Sequence, residues 1–333
     1  MSHEIINNGP SPCPAAQDPG QLAARVNEIY HDLQAAEFDQ LHSRRYRVER
    51  LFWQRHVAPL LAKDGAQVGV DLCTGTGLVP GVLLAAMDAT AAVLCIDLSP
   101  KALEKARQKL GALATRAAFH AGDAASIPLP DGAADWVSMN AGLHHIPDPG
   151  RLLREVDRVL RPGGVFCLGH EPNQAFFTSR FLPRLERVIW HLFWYLSPVR
   201  NIRRLGRRLR PENRPSDRDY LQPINETLIA EGLIGSPLTF AQLHDLVDVH
   251  THRHDGGAGK VGFMVDELIC QHFPYYTVER LCFADYGGEM IRNHLWLRAA
   301  FDRVMLSLFP RRGRLFSFIV RKPTLDTISS GSP

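Results

Sequence analysis

The stretch VDLCTGTGL, residues 70–78, sets an acid, Asp71, at the end of an apolar run and follows it at once with a turn punctuated by Gly75 and Gly77. A strand, a glycine-rich turn and a helix in this order open a nucleotide-type α/β fold. Two details narrow what such a turn binds. The third glycine of the dinucleotide pattern G-x-G-x-x-G is missing, because Gly75-Thr76-Gly77 is followed by Leu78, Val79 and Pro80. Asp71 also puts a carboxylate where a pyrophosphate would approach, and like charges repel at close range in a partly desolvated loop. A cofactor carrying positive charge is attracted to the same place.

Outward from this turn a strand–helix alternation continues. Short apolar runs rich in Val, Ile and Cys recur at 67–73, 91–98, 117–123, 134–140 and 164–171, the pattern of parallel strands buried on both faces. Between them lie helical patterns with identifiable ends. In SPKALEKARQKLG (99–111) Ser99 can cap, Pro100 fits the first helical position, Leu103, Ala106 and Leu110 share a face, and Gly111 stops the helix. DPGRLLREVDRVLRPGG (148–164) repeats the logic, with Leu152, Val156, Val159 and Leu160 on one face and Pro162-Gly163 beyond its end. The alternation breaks after Glu171 and resumes with a helix at 261–274, a strand at 277–286, a helical excursion at about 289–309 and a strand at 314–322. The expected order is a disordered N-terminus over 1–20, a helical lid over 21–66 in two pieces, a core over 67–172, an insertion over 173–258, a closing helix and strands over 259–323, and a tail over 324–333. That makes a seven-stranded doubly wound α/β sheet with an N-terminal helical lid and a helical insertion after the fifth strand.

With 333 residues, 45% hydrophobic and 22% charged, the chain can bury a large core. Six cysteines stand apart with no Cys-x-x-Cys pair, and three lie inside the strand-like runs, which points to buried thiols in a reducing compartment. The first 20 residues lack the basic and apolar regions of a secretory signal. The net charge of +3 hides an asymmetry: residues 175–210 hold nine arginines against one acid, Glu186, so this stretch carries +8 and the rest of the chain −5.

Together with residues downstream, the opening turn resembles that of the class I S-adenosylmethionine-dependent methyltransferases, over roughly 67–172 plus the closing strands. VDLCTGTG matches the family's first motif at Asp71, Gly75 and Gly77 and departs from it at Cys73, where glycine is usual and reaches every backbone conformation freely. The resemblance implies S-adenosylmethionine as cofactor, whose sulfonium and ammonium groups suit Asp71 and whose carboxylate suits the amide-lined turn. It implies that Asp97, 20 residues past Gly77, holds the ribose hydroxyls and that Leu98 packs on the adenine. In the same way Asp123 would accept from the adenine amino group, Ala124 would offer its backbone amide, and Asn140 would contact the methionine part. Any one of these acids alone reads equally well as a solvated loop carboxylate. Three at successive strand ends, in the crevice where doubly wound sheets bind ligands, favour the cofactor.

Methyl transfer is an in-line displacement on an activated carbon, so alignment and water exclusion supply much of the rate, and a base is needed only where the acceptor must lose a proton. NAGLHHIPDPG (140–150) faces the methyl group in the family. His144 and His145 are the base candidates, and His170 and Glu171 orient or replace that base. Tyr30 and His31 read as lid packing. Asn140 is followed by Ala141, Gly142 and Leu143, not by the Pro-Pro-Tyr of exocyclic-amine nucleic-acid methylases, which counts against a nucleic-acid substrate. The double histidine is similar to that of quinone-biosynthesis and natural-product sugar methyltransferases, which implies a small-molecule or lipid acceptor for O- or C-methylation. A non-catalytic binder of this fold, and a nucleic-acid-binding protein using the arginine-rich insertion, are the competing classes.

Two further stretches invite other readings. In VDVHTHRHDGG (247–257) an extended chain would put His250, His252 and His254 on one face, but an exposed strand running into a glycine loop is the expectation and no metal site is assigned. In 175–210, Leu182, Leu185, Ile189, Leu192, Phe193 and Leu196 follow helical spacing, and the uncharged run Val188–Val199 has 12 residues. That is short of the roughly 20 that span a bilayer. Arginine with tryptophan on an amphipathic helix makes an anionic membrane surface a candidate partner; solvated arginines on a packed subdomain are the plain alternative. The expected location is the cytoplasm, with peripheral contact at a membrane's inner face.

Overall fold

The computed structural model describes residues 19–62, 65–185, 187, 188, 191, 217–250, 261–286 and 295–324. The expectations for residues 1–18, for the tail from 325, for His252 and His254, and for most of the arginine-rich stretch lie outside them.

One seven-stranded sheet has the order β3-β2-β1-β4-β5-β7-β6. Strands β1 (Val68–Leu72), β2 (Ala92–Asp97), β3 (Ala117–Ala121), β4 (Ala134–Asn140) and β5 (Leu160–Pro172) are parallel, and β7 (Leu315–Arg321) runs antiparallel between β5 and β6 (Thr277–Ala284). Strand β5 begins earlier than the expected 164. Leu160 already pairs with Ala134, and the register then shifts before Trp136 meets Val165, so the Pro162-Gly163 turn is taken into the strand as an irregularity, with Gly163 at φ +76.

The period-2 alternation sorts side chains onto two faces. Val137, Phe166 and Phe318 point to a core closed by α7 (Pro149–Val159) and α11 (Val265–His272), while Trp136, Cys167 and Ile319 point to one closed by α5 (Leu78–Ala86) and the N-terminal helices. Each such fully buried side chain contributes about 1.5–3 kcal/mol. Helix α6 (Pro100–Leu110) ends as expected: Ser99 Oγ accepts from the Ala102 amide at 3.0 Å and Gly111 stops the helix at φ +56. In α7, Asp148 accepts from the Arg151 amide and Leu152, Val156 and Val159 are buried.

The N-terminal layer is more divided than two helices. It consists of α1 (Pro19–Gln34), α2 (Phe38–Leu41), α3 (Ser43–Phe52), a π-helical stretch Trp53–Val57 and α4 (Ala58–Leu61). Helix starts already at Pro19, whose ring presets the helical φ, so 19 and 20 are not part of a disordered leader. The wider π turn buries Trp53 and Val57 together, both fully enclosed. The described part of the insertion includes α8 (Gln174–Phe177), the helical residues 182–185, 187 and 188, α9 (Asp217–Ala230) and α10 (Phe240–Val247). Helices α9 and α10 pack on α1 through Tyr220, Ile224, Leu228, Leu243 and Val247 against Val26, Ile29 and Tyr30.

This packing corrects the expectation of a strand over 248–250; residues 251–257 lie outside the described residues. A capping box of Thr239 and Gln242 starts α10, its apolar stripe spends Val247 on α1, and 248–250 turn instead of extending as a strand. His250 is half-buried, its Nε2 donating to the Ile146 carbonyl at 3.0 Å and its ring lying 5.1 Å from that of Phe263. Helix α12 (Leu295–Leu308) precedes β7.

Candidate active site

The carboxyl ends of β1, β2, β4 and β5 open into a cavity of about 1320 Å³, roofed by α1, α3 and α10. Of the five described non-glycine residues with left-handed backbone, four line it: Cys73 (φ 51), Ala141 (φ 50), His170 (φ 59) and Asp285 (φ 67). Such conformations cost about 1–3 kcal/mol each and persist where surrounding structure enforces them.

At one end stand the residues of the opening motif. Asp71 is fully buried and its Oδ1 accepts from Ser138 Oγ on the neighbouring strand at 2.5 Å. Burial pushes its carboxyl pKa up to about 7, against the opposing pull of hydrogen bonds from Ser138 and Thr74. Asp97 closes β2 and ties the site together: Oδ2 accepts from the Gly75 amide at 2.7 Å and Oδ1 from the Ser99 amide at 2.9 Å. Gly75, at φ +53, has open space where a Cβ would stand, and Gly77, at φ +80, would put a Cβ 3.0 Å from that of Ala106 in α6. Leu98, Cys73 and Asp123 line the cavity. The Ala124 side chain is buried in the core beneath, and it is Ala125 that reaches the wall.

These residues fit the cofactor that the motif implies. Gly75 leaves bare backbone toward a bound molecule, and Asp71, Asp97 and Asp123 set three carboxylates around that space, suited to cationic groups and hydroxyl or amino donors.

The N-terminal helices are pinned to this end. Thr76 donates to Asp39, Tyr46 meets Thr76 Oγ1 at 3.2 Å, and Ser99 Oγ donates to Asp32 at 2.5 Å. Deeper in, Asn140 is fixed by three partners, donating from Nδ2 to Glu49 at 2.9 Å while Oδ1 accepts from Trp53 Nε1 and His170 Nδ1, each at 2.9 Å. Burial alone would raise the Glu49 carboxyl, but its ion pair with Arg45 and the other partners hold it below the usual range. Ser138, Arg45, Glu49 and Trp53 were not singled out by the sequence. The only signal in it is the i,i+4 pair Arg45 and Glu49, which reads as an ordinary solvated helix pair.

The histidines gather at the other end. Glu171, with no exposure, sits behind the wall: Oε1 accepts from the Gly142 and Leu143 amides at 2.8 and 2.9 Å, and Oε2 from His144 Nδ1 at 2.9 Å. His144 therefore presents Nε2 toward the cavity. His145 Nδ1 lies 2.7 Å from the Val247 carbonyl and 3.2 Å from Asp248 Oδ1. Burial lowers the His145 pKa to about 4 and that of His31, which stacks edge-on against it, to about 3. The structure thus brings Tyr30, His31, His144, His145 and His170 to one cavity. Asp248, supplied by the insertion, had no signal in sequence.

The chain is similar in sequence to known methyltransferases. Residues 70–168 match the methyltransferase-domain family. The demethylmenaquinone methyltransferase of Staphylococcus epidermidis is 30% identical over 176 residues, which are 53% of this chain and 69% of that enzyme. The Staphylococcus aureus enzyme matches to the same extent, 30% over 176 residues. Among solved structures, a SAM-dependent methyltransferase from Methanosarcina mazei is similar over 81% of this chain and 98% of its own, at 17% identity and a TM-score of 0.40. The chain belongs to the class I S-adenosylmethionine-dependent methyltransferases, and S-adenosylmethionine is its cofactor.

Proposed function

We propose that the protein methylates a small-molecule acceptor whose hydroxyl proton is taken by His144, with Glu171 as the residue that orients and supports that base. When bound, the cofactor supplies an electrophilic methyl group. The observation that carries the reading is the Glu171–His144 pair. A buried carboxylate on Nδ1 fixes the tautomer with its lone pair on Nε2, and it stabilises the imidazolium that forms when the proton arrives. His145 is less suited, since burial keeps it neutral far below neutral pH.

The cavity of about 1320 Å³ exceeds the usual range of a single small-ligand site, about 300–1,000 Å³, and so leaves room for an acceptor beside the cofactor. A phenolic or enolic hydroxyl suits both outcomes of transfer, because O-methylation and methylation of the adjacent ring carbon both start from its deprotonation. The demethylmenaquinone methyltransferases among the relatives support that class.

The test is turnover of labelled cofactor with a panel of hydroquinones and phenols. His144→Ala is expected to lower turnover by about 10²–10⁴ with cofactor affinity nearly unchanged. Wild-type turnover in both His144→Ala and Glu171→Gln would refute the base assignment. His144, His145 and Asp248 each bring a ligand-type atom within 4.8 Å of the others, so the assay is run with and without chelator.

A further inference from the structure

We propose that the surface formed by residues 180–185, 187 and 188 together with α12 and the turn after it docks on an anionic lipid surface. Among the described residues nine large hydrophobic side chains are exposed, and five of them lie here: Phe181 (54%), Val188 (61%), Val304 (57%), Leu306 (42%) and Leu308 (63%). The two segments form one unit. Leu182 and Leu185 pack with Phe301, Met305 and Phe309 in a small core separate from those of the sheet, and the rings of Phe181 and Phe309 lie 5.7 Å apart.

Arginines interleave with the exposed apolar residues. Arg180, Arg184 and Arg187 are exposed on the first segment, and Arg303, Arg311 and Arg312 on and just after α12. None of the exposed described positions of these segments is acidic. The acid of α12, Asp302, is half-buried and accepts from the amides of Asp285 and Tyr286. Arg311 pairs with Asp266 on α11. A face that only met water would keep the arginines without the exposed Phe181 and Leu308. Apolar side chains among cations are instead the composition that enters the headgroup boundary of an anionic bilayer.

The surface is continuous with the cavity. Phe177, which packs on the same small core, lines it, and the Arg314 guanidinium lies 5.7 Å over the Phe177 ring. Docking would set the part of the cavity wall at Phe177 beside the lipid. No helix of the described residues is long and apolar enough to cross a membrane, so the contact proposed is at the surface. It stands on these side chains alone and does not depend on the base assigned to His144.

The test is co-flotation of the full chain with phosphatidylglycerol-containing and with pure phosphatidylcholine vesicles, at low and high salt, with cofactor affinity measured on the same preparations. Wild type should float with the anionic vesicles at low salt and be released at high salt. Each basic residue near such a surface is worth about fivefold in partition, so R180E/R184E/R187E should lower it roughly 100-fold while binding the cofactor as wild type does. Phe181→Ser with Leu308→Ser should lower it several-fold at either salt. Failure of wild type to float, or flotation of both variants at the wild-type level, overturns the proposal. Salt-sensitive RNA binding by a wild type that does not float would assign the arginines to a nucleic acid instead.

Discussion

Replacing Glu171 by Gln tests the centre of the proposed chemistry, because the side chain keeps its shape and loses only its charge and half its acceptors. The carboxylate accepts at Oε1 from the Gly142 and Leu143 amides and at Oε2 from the His144 amide, at 3.3 Å, and His144 Nδ1. Glutamine can keep the first two bonds, but its amide nitrogen then faces two N–H donors. The imidazole can escape by moving its proton to Nε2; the backbone amide cannot. One buried donor is left unpaired, at about 1–3 kcal/mol, and charge assistance to the others is lost, so a destabilisation of about 3 kcal/mol is expected. At this chain length of 333 residues that lowers the melting temperature by roughly 4 °C.

The tautomer shift removes the lone pair that faces the cavity. A comparable acid-to-amide change in the worked serine-protease triad costs about 10⁴ in kcat. Here turnover should fall by about 10²–10⁴ while cofactor affinity holds within a few-fold. Nitrogen-15 NMR of the histidines reads the tautomer directly and calorimetry reads the cofactor. A variant that keeps the Nδ1–H tautomer of His144 and full turnover refutes the reasoning. The pH dependence has a defined sign. Burial works to raise the Glu171 carboxyl, but His144 and the backbone amides outweigh it, and its pKa lies below the ordinary value of 4.5. Its contribution is therefore present above pH 4.5 and lost as pH falls through the lower folded value, so the stability gap between wild type and E171Q should be flat at neutral pH and close in acid.

Asp97→Ala removes the two charge-assisted bonds that hold the Gly75 and Ser99 amides as well as an acceptor for the cofactor. Loss of roughly 3 kcal/mol predicts about 100-fold weaker cofactor binding by titration calorimetry, and unchanged affinity would contradict the site. For Asp71, the folded pKa of about 7 lies above the unfolded 3.8, so the unfolded chain ionises first and this group makes the cofactor-free protein less stable as pH rises from 4 to 7. Asp71→Asn should melt above wild type at pH 8 and close to it below pH 4, and only wild type should bind the cofactor more tightly between pH 6 and 8. His145, held at about 4 by burial, has the opposite sign: protons favour the unfolded chain from about pH 6.5 down to 4. His145→Gln should flatten that acid limb of the thermal-melt profile.

Local chemistry made much of the fold readable. The five parallel strands announce themselves as apolar runs, Ser99 and Asp148 cap where their sequences say, and the acids at strand ends reach one cavity. Pairings between distant residues leave no such trace. Asn140 meets Glu49 across 91 positions, and Asp248 reaches the histidines only because α10 docks on α1. Residues 248–250 misled for a related reason. Alternating histidines imitate a strand, while the capping box that claims Val247 for a helix lies eight residues upstream. The π turn at Trp53–Val57 is equally silent in a 3.6-residue pattern, although it delivers Trp53 to Asn140.

Cys73 shows how a departure from a motif can be read together with its partner. The residue holds φ 51 where glycine is usual, so the turn keeps its shape under strain instead of relaxing. The facing loop explains why a side chain fits there at all. A Cβ on Gly142 would lie 2.7 Å from Cys73 Cβ and 3.1 Å from its sulfur, so the two loops leave room for one side chain between them, and this chain spends it on the first. Burial, reinforced by Asp97, Glu171, Asp71 and Asp123, drives the pKa of the Cys73 thiol well above the ordinary cysteine value, which disfavours the thiolate beside the cavity. The Gly142 amide donates to Glu171, two residues before His144. The strained cysteine and the bare glycine are therefore two sides of one packing choice at the ends of β1 and β4, beside the carboxylate that orients the His144 imidazole.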